Sequence, residues 1–336
     1  MAYLTFEILS NGVINWCSNN NSTTYRTIQY RKNGGSWTSI TSSQAGANIS
    51  VVTGDVLEFK GDNTTYSDGN RRFGMFGDGK TTAQFKAKGN IMSLINSTDF
   101  ENLKSFTGNY TFRAMFNRCS TMMDASELIL PATGLTTGNY RFMFQLCTSI
   151  TTAPKLPATT LTSECYQGMF MGCSSLKKIE CLATSITASN CTYQWVSGVS
   201  STGLFIKSKD ITTNTWGRGI SKIPSNWTVD DYVLFSIDST GTTIAQIGGT
   251  STANITSDTG WTVTSAPSWV TVSPSSGDSG TTAVSFTVKK NNFSFRTDTV
   301  VFTDDEENEA EYTIEQGGTD GLIPYNKIYR NNRRIN

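Results

Sequence analysis

The 336-residue chain contains no histidine. That removes the commonest general base, the commonest zinc ligand and every Ser–His or Cys–His nucleophile pair. Chemistry by carboxylates alone, as in glycosidases, stays open. Charge is also scarce: 16% of residues are charged, and 27 basic residues balance 27 acidic ones. A nucleic-acid ligand is not expected, because neutralising phosphates requires a basic face. No stretch is long and apolar enough to span a bilayer, so membrane insertion is not expected either. The start, Met1-Ala-Tyr-Leu-Thr-Phe-Glu, has no basic patch, apolar run or cleavage site and does not read as a signal peptide. Synthesis and assembly in a bacterial or viral cytoplasm are the expectation.

What the chain has is Thr, Ser, Asn and Gly in abundance, with 18 Phe and 12 Tyr. β-Branched and aromatic side chains suit pleated, half-buried surfaces, and Gly, Asn and Ser supply the turns between short strands. The length suggests about two or three domains. Of seven cysteines, Cys119, Cys147, Cys165, Cys173, Cys181 and Cys191 lie in one third of the chain. An odd, clustered set is expected to be buried free thiols rather than a disulfide framework. No Cys-x-x-Cys occurs, so neither a metal nor another cofactor is expected.

Alternation in residues 1–95 predicts an N-terminal β-sandwich. Tyr3-Leu4-Thr5-Phe6-Glu7-Ile8 alternates, and Asn33-Gly34-Gly35 separates Thr27–Arg31 from Trp37–Ile40 as a hairpin turn. Residues 96–229 carry a repeat. Tyr110-x-x-x-x-Met115-Phe116-x-x-Cys119 returns at Met143-Phe144-x-x-Cys147 and at Met169-Phe170-x-x-Cys173, spacings of 28 and 26 residues. Leu130-Pro131-Ala132-Thr133, Leu156-Pro157-Ala158-Thr159 and Cys181-Leu182-Ala183-Thr184 follow in step, and a degenerate copy runs through Cys191 and Trp195. Such a period means a solenoid. The Tyr-x-x-Met-Phe-x-x-Cys spacing is helical and is expected on the convex side, with Leu176–Leu182 as a strand of one rung. The flanking domains are expected to cap so short a stack. Residues 230–318 return to alternating strands with turns every 8–12 residues, an immunoglobulin-like β-sandwich pattern. Residues 319–336 form a basic tail with apolar anchors. The fold class is therefore mainly β.

Several residues invite functional readings. Trp216 and Trp227, like Trp16 and Trp37, lie in loop-like sequence where an exposed ring would suit a glycan or a protein partner; packing between domains is the favoured reading. Trp261 and Trp269 would serve equally as sugar platforms, but alternation of Trp261 with Val263 favours the core. Asp304-Asp305-Glu306-Glu307-Asn308-Glu309 lacks calcium-loop spacing and reads as a hairpin tip. Gly74, Gly77 and Gly79 lack the Gly-Lys-Ser/Thr ending of a phosphate loop and read as a turn. In the tail, Tyr325, Ile328, Tyr329, Arg330 and Arg333 combine apolar anchors with charge that would meet acidic neighbours.

Three stretches resemble known families. Residues 109–206, with MFQLCTSITTAPKLPATT and MFMGCSSLKKIECLATS, resemble BspA-like leucine-rich repeats. Residues 231–318, with GWTVTSAPSWVTVSPSSG, VSFTV, Asn291, Arg296 and IEQGG, resemble a BACON domain, a name standing for Bacteroidetes-associated carbohydrate-binding, often N-terminal. Here the segment is C-terminal. The N-terminal YRKNGGSWTSI and VVTGDVLEFKG resemble the domain preceding such repeats in proteins of gut Bacteroides and their phages. Together these resemblances imply a non-enzymatic virion protein of a Bacteroides phage of crAss-like kind, assembled in the host cytoplasm as a head or tail fibre or decoration adhesin. Its implied partners are capsid or tail proteins and host-surface or mucin glycans, and homo-oligomers are compatible with the reading. The alternative is a bacterial cell-surface adhesin with leucine-rich repeats.

Overall fold

Alternating apolar residues in the first ninety positions can bury one face of a sheet only. In the computed structural model, which describes residues 2–19, 22–209, 211, 216–232, 234–305 and 307–319, they do so as seven strands. These are β1 (Leu4–Ile8), β2 (Gly12–Trp16), β3 (Thr27–Lys32), β4 (Thr38–Thr41), β5 (Ala47–Val51), β6 (Val56–Lys60) and β7 (Phe85–Asn90). Two short strands from the repeat region, β8 (Met122–Asp124) and β9 (Leu128–Ile129), join them. The sheet order is β4-β3-β6-β1-β7-β8, β9 also pairs with β7, and β2-β5 form a separate ribbon. Asn33 and Gly34 both adopt positive φ, 53° and 71°, as a tight turn after β3 requires.

The N-terminal sheet does not close on a core of its own, as a self-contained sandwich over 1–95 would. Phe6 meets Phe59 and Phe85 at 4.8 and 4.4 Å, but also Phe116 of the first repeat at 6.2 Å. Phe76 stacks on that same Phe116 at 6.0 Å. One hydrophobic core runs from Leu4 to Trp227 within a compact unit, Met1–Tyr232. The physical reason is mutual need: the sheet has an apolar face to cover, and the stack of repeats has an apolar end.

The repeats themselves are not helical where helical spacing was expected. Residues 109–118, 137–146, 163–172 and 188–198 are successive tight turns. Residues at positive φ recur every fourth position, at Tyr110, Ala114 and Arg118, at Gly138, Phe142 and Leu146, and at Glu164, Gly168 and Gly172. Backbone donors alternate in direction. Met115 N donates to Phe112 O within its own copy at 3.2 Å, while Phe116 N donates to Met143 O of the next at 2.9 Å. Phe144 N to Met169 O (2.9 Å) and Phe170 N to Trp195 O (2.8 Å) continue the ladder. An α-helix satisfies its amides internally and could not lend half of them to a neighbour. Residue Gly77 belongs to the same stack: a Cβ there would collide with the Asn117 carbonyl, so glycine is needed for the close approach.

Equivalent side chains stack in register. Met115, Phe116, Cys119, Met143, Phe144, Cys147, Met169, Phe170 and Cys173 are all buried. Cys147 Sγ donates to Phe116 O at 3.0 Å and Cys173 Sγ to Phe144 O at 2.9 Å, each reaching the preceding copy. On the other side β10 (Lys178–Cys181), β11 (Leu204–Ser208) and β12 (Thr228–Tyr232) form a parallel ladder, so the Leu176–Leu182 segment does supply a strand. Trp195, Phe205 and Trp216 seal this end, with Trp216 5.8 Å from Trp195 and 5.3 Å from Phe205.

The second unit, Val233–Asn336, has its own core. Its strands are β13 (Phe235–Ile237), β14 (Gly241–Ile244), β15 (Gly249–Ser257), β16 (Trp261–Ser265), β17 (Val270–Ser273), β18 (Ser276–Gly277), β19 (Gly280–Val288), β20 (Arg296–Asp304) and β21 (Glu309–Gln316). They make one sheet in the order β13-β15-β19-β17 and another in the order β14-β21-β20-β16-β18. Phe286 of the first sheet stacks on Tyr312 of the second at 4.0 Å, and meets Phe302 edge-on at 6.1 Å. A short 3-10 turn lies at Ile91–Leu94.

Candidate functional site

The tryptophans singled out from sequence are packing residues. Trp216 and Trp227 are buried, and their indole N–H groups donate to Ala183 O (3.2 Å) and Ser200 O (2.8 Å). Neither offers a free ring face: Trp216 closes the repeat stack, and Trp227 only borders a shallow cavity of about 150 Å³ with Ile220 and Pro224. Trp16 is buried, its N–H donating to Arg26 O at 2.8 Å. Trp37 is half-buried with Arg31 and Lys60 over its ring at 4.8 and 4.4 Å. Trp261 sits in the second unit's core, where Gly277 leaves room for its indole. Of the acidic stretch, Asp304 and Asp305 lie at the β20 end, Asp304 accepting from Asn308 N (2.8 Å) and Asp305 from Gly260 N (3.0 Å). Tyr325, Ile328, Tyr329, Arg330 and Arg333 lie outside the described residues.

Sequence reasoning missed the most exposed large apolar side chains among the described residues. Phe293, in the β19–β20 loop, is 76% exposed, and Ile247, in the β14–β15 turn, is 75% exposed. The two loops are tied at one end of the unit: Asn291 N donates to Gln246 O at 2.8 Å, and Gln246 Nε2 donates back to Asn291 O at 2.5 Å. Two fully buried amides hold them there. Asn291 Nδ2 donates to Ser294 O (2.8 Å) and Gly317 O (3.1 Å), and its Oδ1 accepts from Phe293 N (3.0 Å). Gln316 Nε2 donates to Lys289 O (2.9 Å) and Ala245 O (3.1 Å), while its Oε1 accepts from Arg296 Nε and Nη2 at 2.9 and 2.7 Å. The Arg296 guanidinium in turn lies 4.1 Å over the Trp269 ring. A satisfied buried network of this kind fixes backbone. The loops are thus rigid supports that hold two apolar side chains in water, with the Lys289 and Lys290 cations on the same chain segment.

A second concavity lies on the strand side of the repeats. It encloses about 470 Å³ between Leu128–Pro131 and Lys155 and Pro157, with Lys104 at its edge. Among the described residues no strand pairing joins β9 to the 152–157 segment, which pairs onward with Lys178 and Cys181 instead. Lys155 is committed, to Glu180 at 2.9 Å and to the Tyr232 ring at 3.7 Å.

Among the described residues no group of three or more Cys, Asp or Glu side chains is arranged to hold a metal ion, and no helix is long and apolar enough to cross a membrane.

A family model described as BACON, putative binding domain, N-terminal, matches residues 259–317. The match spans β16 to β21 and includes Trp261, Trp269, Asn291, Arg296 and Gln316, so the residues that build the loop end lie within the stretch similar to a BACON domain. A solved structure, the Bacteroides ovatus GH5 xyloglucanase in complex with a XXXG heptasaccharide, is similar at 21% identity with a TM-score of 0.24. The similarity covers 26% of this chain and 19% of that one, too little to bear on fold or activity. No curated protein matches the chain significantly.

Proposed function

We propose that this chain is a non-enzymatic adhesin whose immunoglobulin-like BACON sandwich binds host-surface or mucin glycans through its Ile247–Phe293 end. The observation that carries the reading is the rigid pair of loops, built by the family-matched residues Asn291, Arg296 and Gln316, that holds Phe293 in solvent. An exposed aromatic face beside Asn and Lys side chains suits the apolar face and hydroxyl rim of a sugar ring. The stacked copies in residues 109–206 act, in this reading, as a short leucine-rich-repeat solenoid that spaces and supports the adhesive module. No hydrolysis is expected, since the sequence has no histidine and the cavities described above hold no facing pair of carboxylates among the described residues.

In the fuller form of the proposal the protein is a phage virion component, a head or tail fibre or decoration protein, anchored to capsid or tail neighbours by residues 319–336. The sequence resemblances and the apolar and basic composition of that tail support this form. Full-length protein on an array of mucin O-glycans and host polysaccharides tests the adhesive part. Saturable binding that Phe293→Ser abolishes supports it, and failure to bind any glycan leaves the module a spacer. Mass spectrometry of purified virions, with and without residues 319–336, tests the rest. A chain absent from particles favours the bacterial cell-surface adhesin instead.

A further inference from the structure

Three arginines converge on the turn side of the first repeats. Arg113 and Arg141 occupy equivalent positions of consecutive copies, 28 residues apart, and both lie over the Phe142 ring, at 5.8 and 4.9 Å. Arg72 lies midway along the segment between β6 and β7, which pairs with the first copy on either side of it, Tyr66 N donating to Thr111 O at 3.0 Å and Phe76 N to Met115 O at 2.9 Å, and it is within electrostatic reach of Arg113. Among the described residues one of the three has a carboxylate partner, Arg141, and no ion pair reaches Arg72 or Arg113. Asp68 is held by Arg71 at 2.6 Å, and Glu164 is held by Arg141 Nη1 at 2.6 Å.

The donors of this cluster are left over. Arg113 Nε and Nη1, Arg72 Nε and Arg141 Nε are all buried and donate to nothing among the described residues. A guanidinium presents five N–H donors and cannot shed its charge at neutral pH, so unmet donors beside like charges are costly. The electrostatics agree. Burial first, and then the neighbouring Arg141 and Arg72 charges, lower the Arg113 guanidinium to about 10. A fold that tolerates such crowding gains most from an oxyanion, which accepts several N–H bonds at once in a geometry the guanidinium fork matches. Each of the three side chains keeps part of its surface in solvent, and the half-exposed Tyr110 and Phe142 rings flank them.

We propose that Arg72, Arg113 and Arg141 form a binding site for an acidic saccharide, its sulfate or carboxylate held by the guanidinium groups and its ring beside Tyr110 and Phe142. The inference rests on the glycan-binding reading of the chain but not on the Phe293 loop end. It names a second subsite and the ligand class, a sugar bearing a sulfate ester or a sialic-acid carboxylate.

The test is a set of calorimetric titrations of the full chain with galactose 3-sulfate-terminated, sialic acid-terminated and unmodified neutral oligosaccharides. The expected result is at least tenfold tighter binding of one acidic form over the neutral parent. Arg72→Gln should weaken that binding about tenfold or more, as loss of a charge-assisted contact does. Arg118→Gln, an exposed arginine further along the same copy, should leave it unchanged. The rank of sulfate against carboxylate identifies the source of the anion. Arg113→Gln is a less secure variant because its side chain is largely buried; Arg72→Gln, with its thermal unfolding checked, carries the decision. Equal binding of acidic and neutral forms, or acidic binding indifferent to Arg72→Gln, overturns the proposal. If neutral glycans bind and Phe293→Ser abolishes that, the adhesive reading survives without this site. If acidic glycans bind through Arg72 and Phe293→Ser changes nothing, this site stands and the loop end falls. If no glycan binds, both fail.

Discussion

Phe144 lies between two equivalent rings, 5.5 Å from Phe116 and 5.6 Å from Phe170, with planes within 17° and 11° of parallel. Each neighbour belongs to a different copy of the repeat, so one side chain serves two interfaces. In a stack where each copy contacts only its neighbours, such a residue couples the copies. Phe144→Ala should cost about 3–5 kcal/mol, the usual penalty for a buried aromatic truncated to a cavity. The loss should appear in the unfolding of Met1–Tyr232 and spare the transition of the second unit, whose core is separate. Scanning calorimetry reads both. A loss under about 1 kcal/mol is incompatible with a ring packed on both faces.

All seven cysteines are free and buried in this structure. Burial pushes Cys119, Cys165, Cys173 and Cys181 up to about 12 and Cys17 up to about 11. The thiolate is the reactive species, so thiol reagents at pH 8 should modify the native protein far more slowly than the unfolded chain. The pH dependence has a definite sign. A raised folded value means the native state holds protons that the unfolded chain gives up from about pH 9. Stability from these groups is therefore complete below about pH 9 and is lost as pH rises toward 12, by up to roughly 1.4 kcal/mol per thiol per pH unit. Circular dichroism between pH 8 and pH 12 should follow a steep alkaline unfolding. Non-reducing mass spectrometry that found two or more stable bridges would instead indicate folding in an oxidising compartment.

The stacked Met-Phe-Cys positions were legible because a repeat must present the same face at every copy, and periodicity alone gives that face. Trp261 was legible as core for a similar reason, its alternation with Val263. The conformation of Tyr110–Cys119 was not, because apolar positions at i, i+3, i+4 and i+7 suit a four-residue turn as well as a 3.6-residue helix. The signal that separates them was present: Gly138, Gly168, Gly172 and Gly198 fall at the turn corners, all at positive φ, where helix formers would otherwise be expected. The boundary between the N-terminal sheet and the repeats was invisible because contacts such as Phe6 with Phe116 join residues far apart in sequence. The Phe293 loop and the arginine cluster were missed for the same reason. Asn291, Arg296 and Gln316 could be matched to a family, but their hydrogen bonds to the 245–246 turn could not be read from order along the chain.

Gln316 is the residue on which that loop end depends. Its amide donates to two strand-end carbonyls and accepts a fork from Arg296, all without exposure to water. Gln316→Ala removes those partners and leaves the Ala245 and Lys289 carbonyls and the guanidinium to find others. Buried groups abandoned in this way cost about 1–3 kcal/mol each, softened where water enters, so a total near 3 kcal/mol is expected. Urea unfolding measures it. Gln316→Glu should be no rescue, because a carboxylate restores the acceptor for Arg296 but not the donors to the carbonyls.

Phe293 provides the sharpest separation of function from stability. Its side chain is mostly in solvent, while its backbone is held by Asn291 Oδ1 and by Thr319 N, which donates to Phe293 O at 2.8 Å. Replacing the ring leaves those main-chain contacts intact, so Phe293→Ser should change unfolding free energy by no more than about 0.5 kcal/mol. If the ring stacks on a sugar, the same change removes an apolar contact that exists only in the complex. Loss of about 2 kcal/mol there corresponds to roughly thirtyfold weaker binding. Ile247→Ser, on the adjoining turn, should weaken binding less, since an aliphatic side chain offers no flat face. Titration of each variant against the best-bound glycan, beside its thermal unfolding curve, decides the matter. Full affinity in Phe293→Ser would mean that the exposed ring is not the contact surface, and a large drop in its stability would mean that the ring is not as free as its exposure indicates.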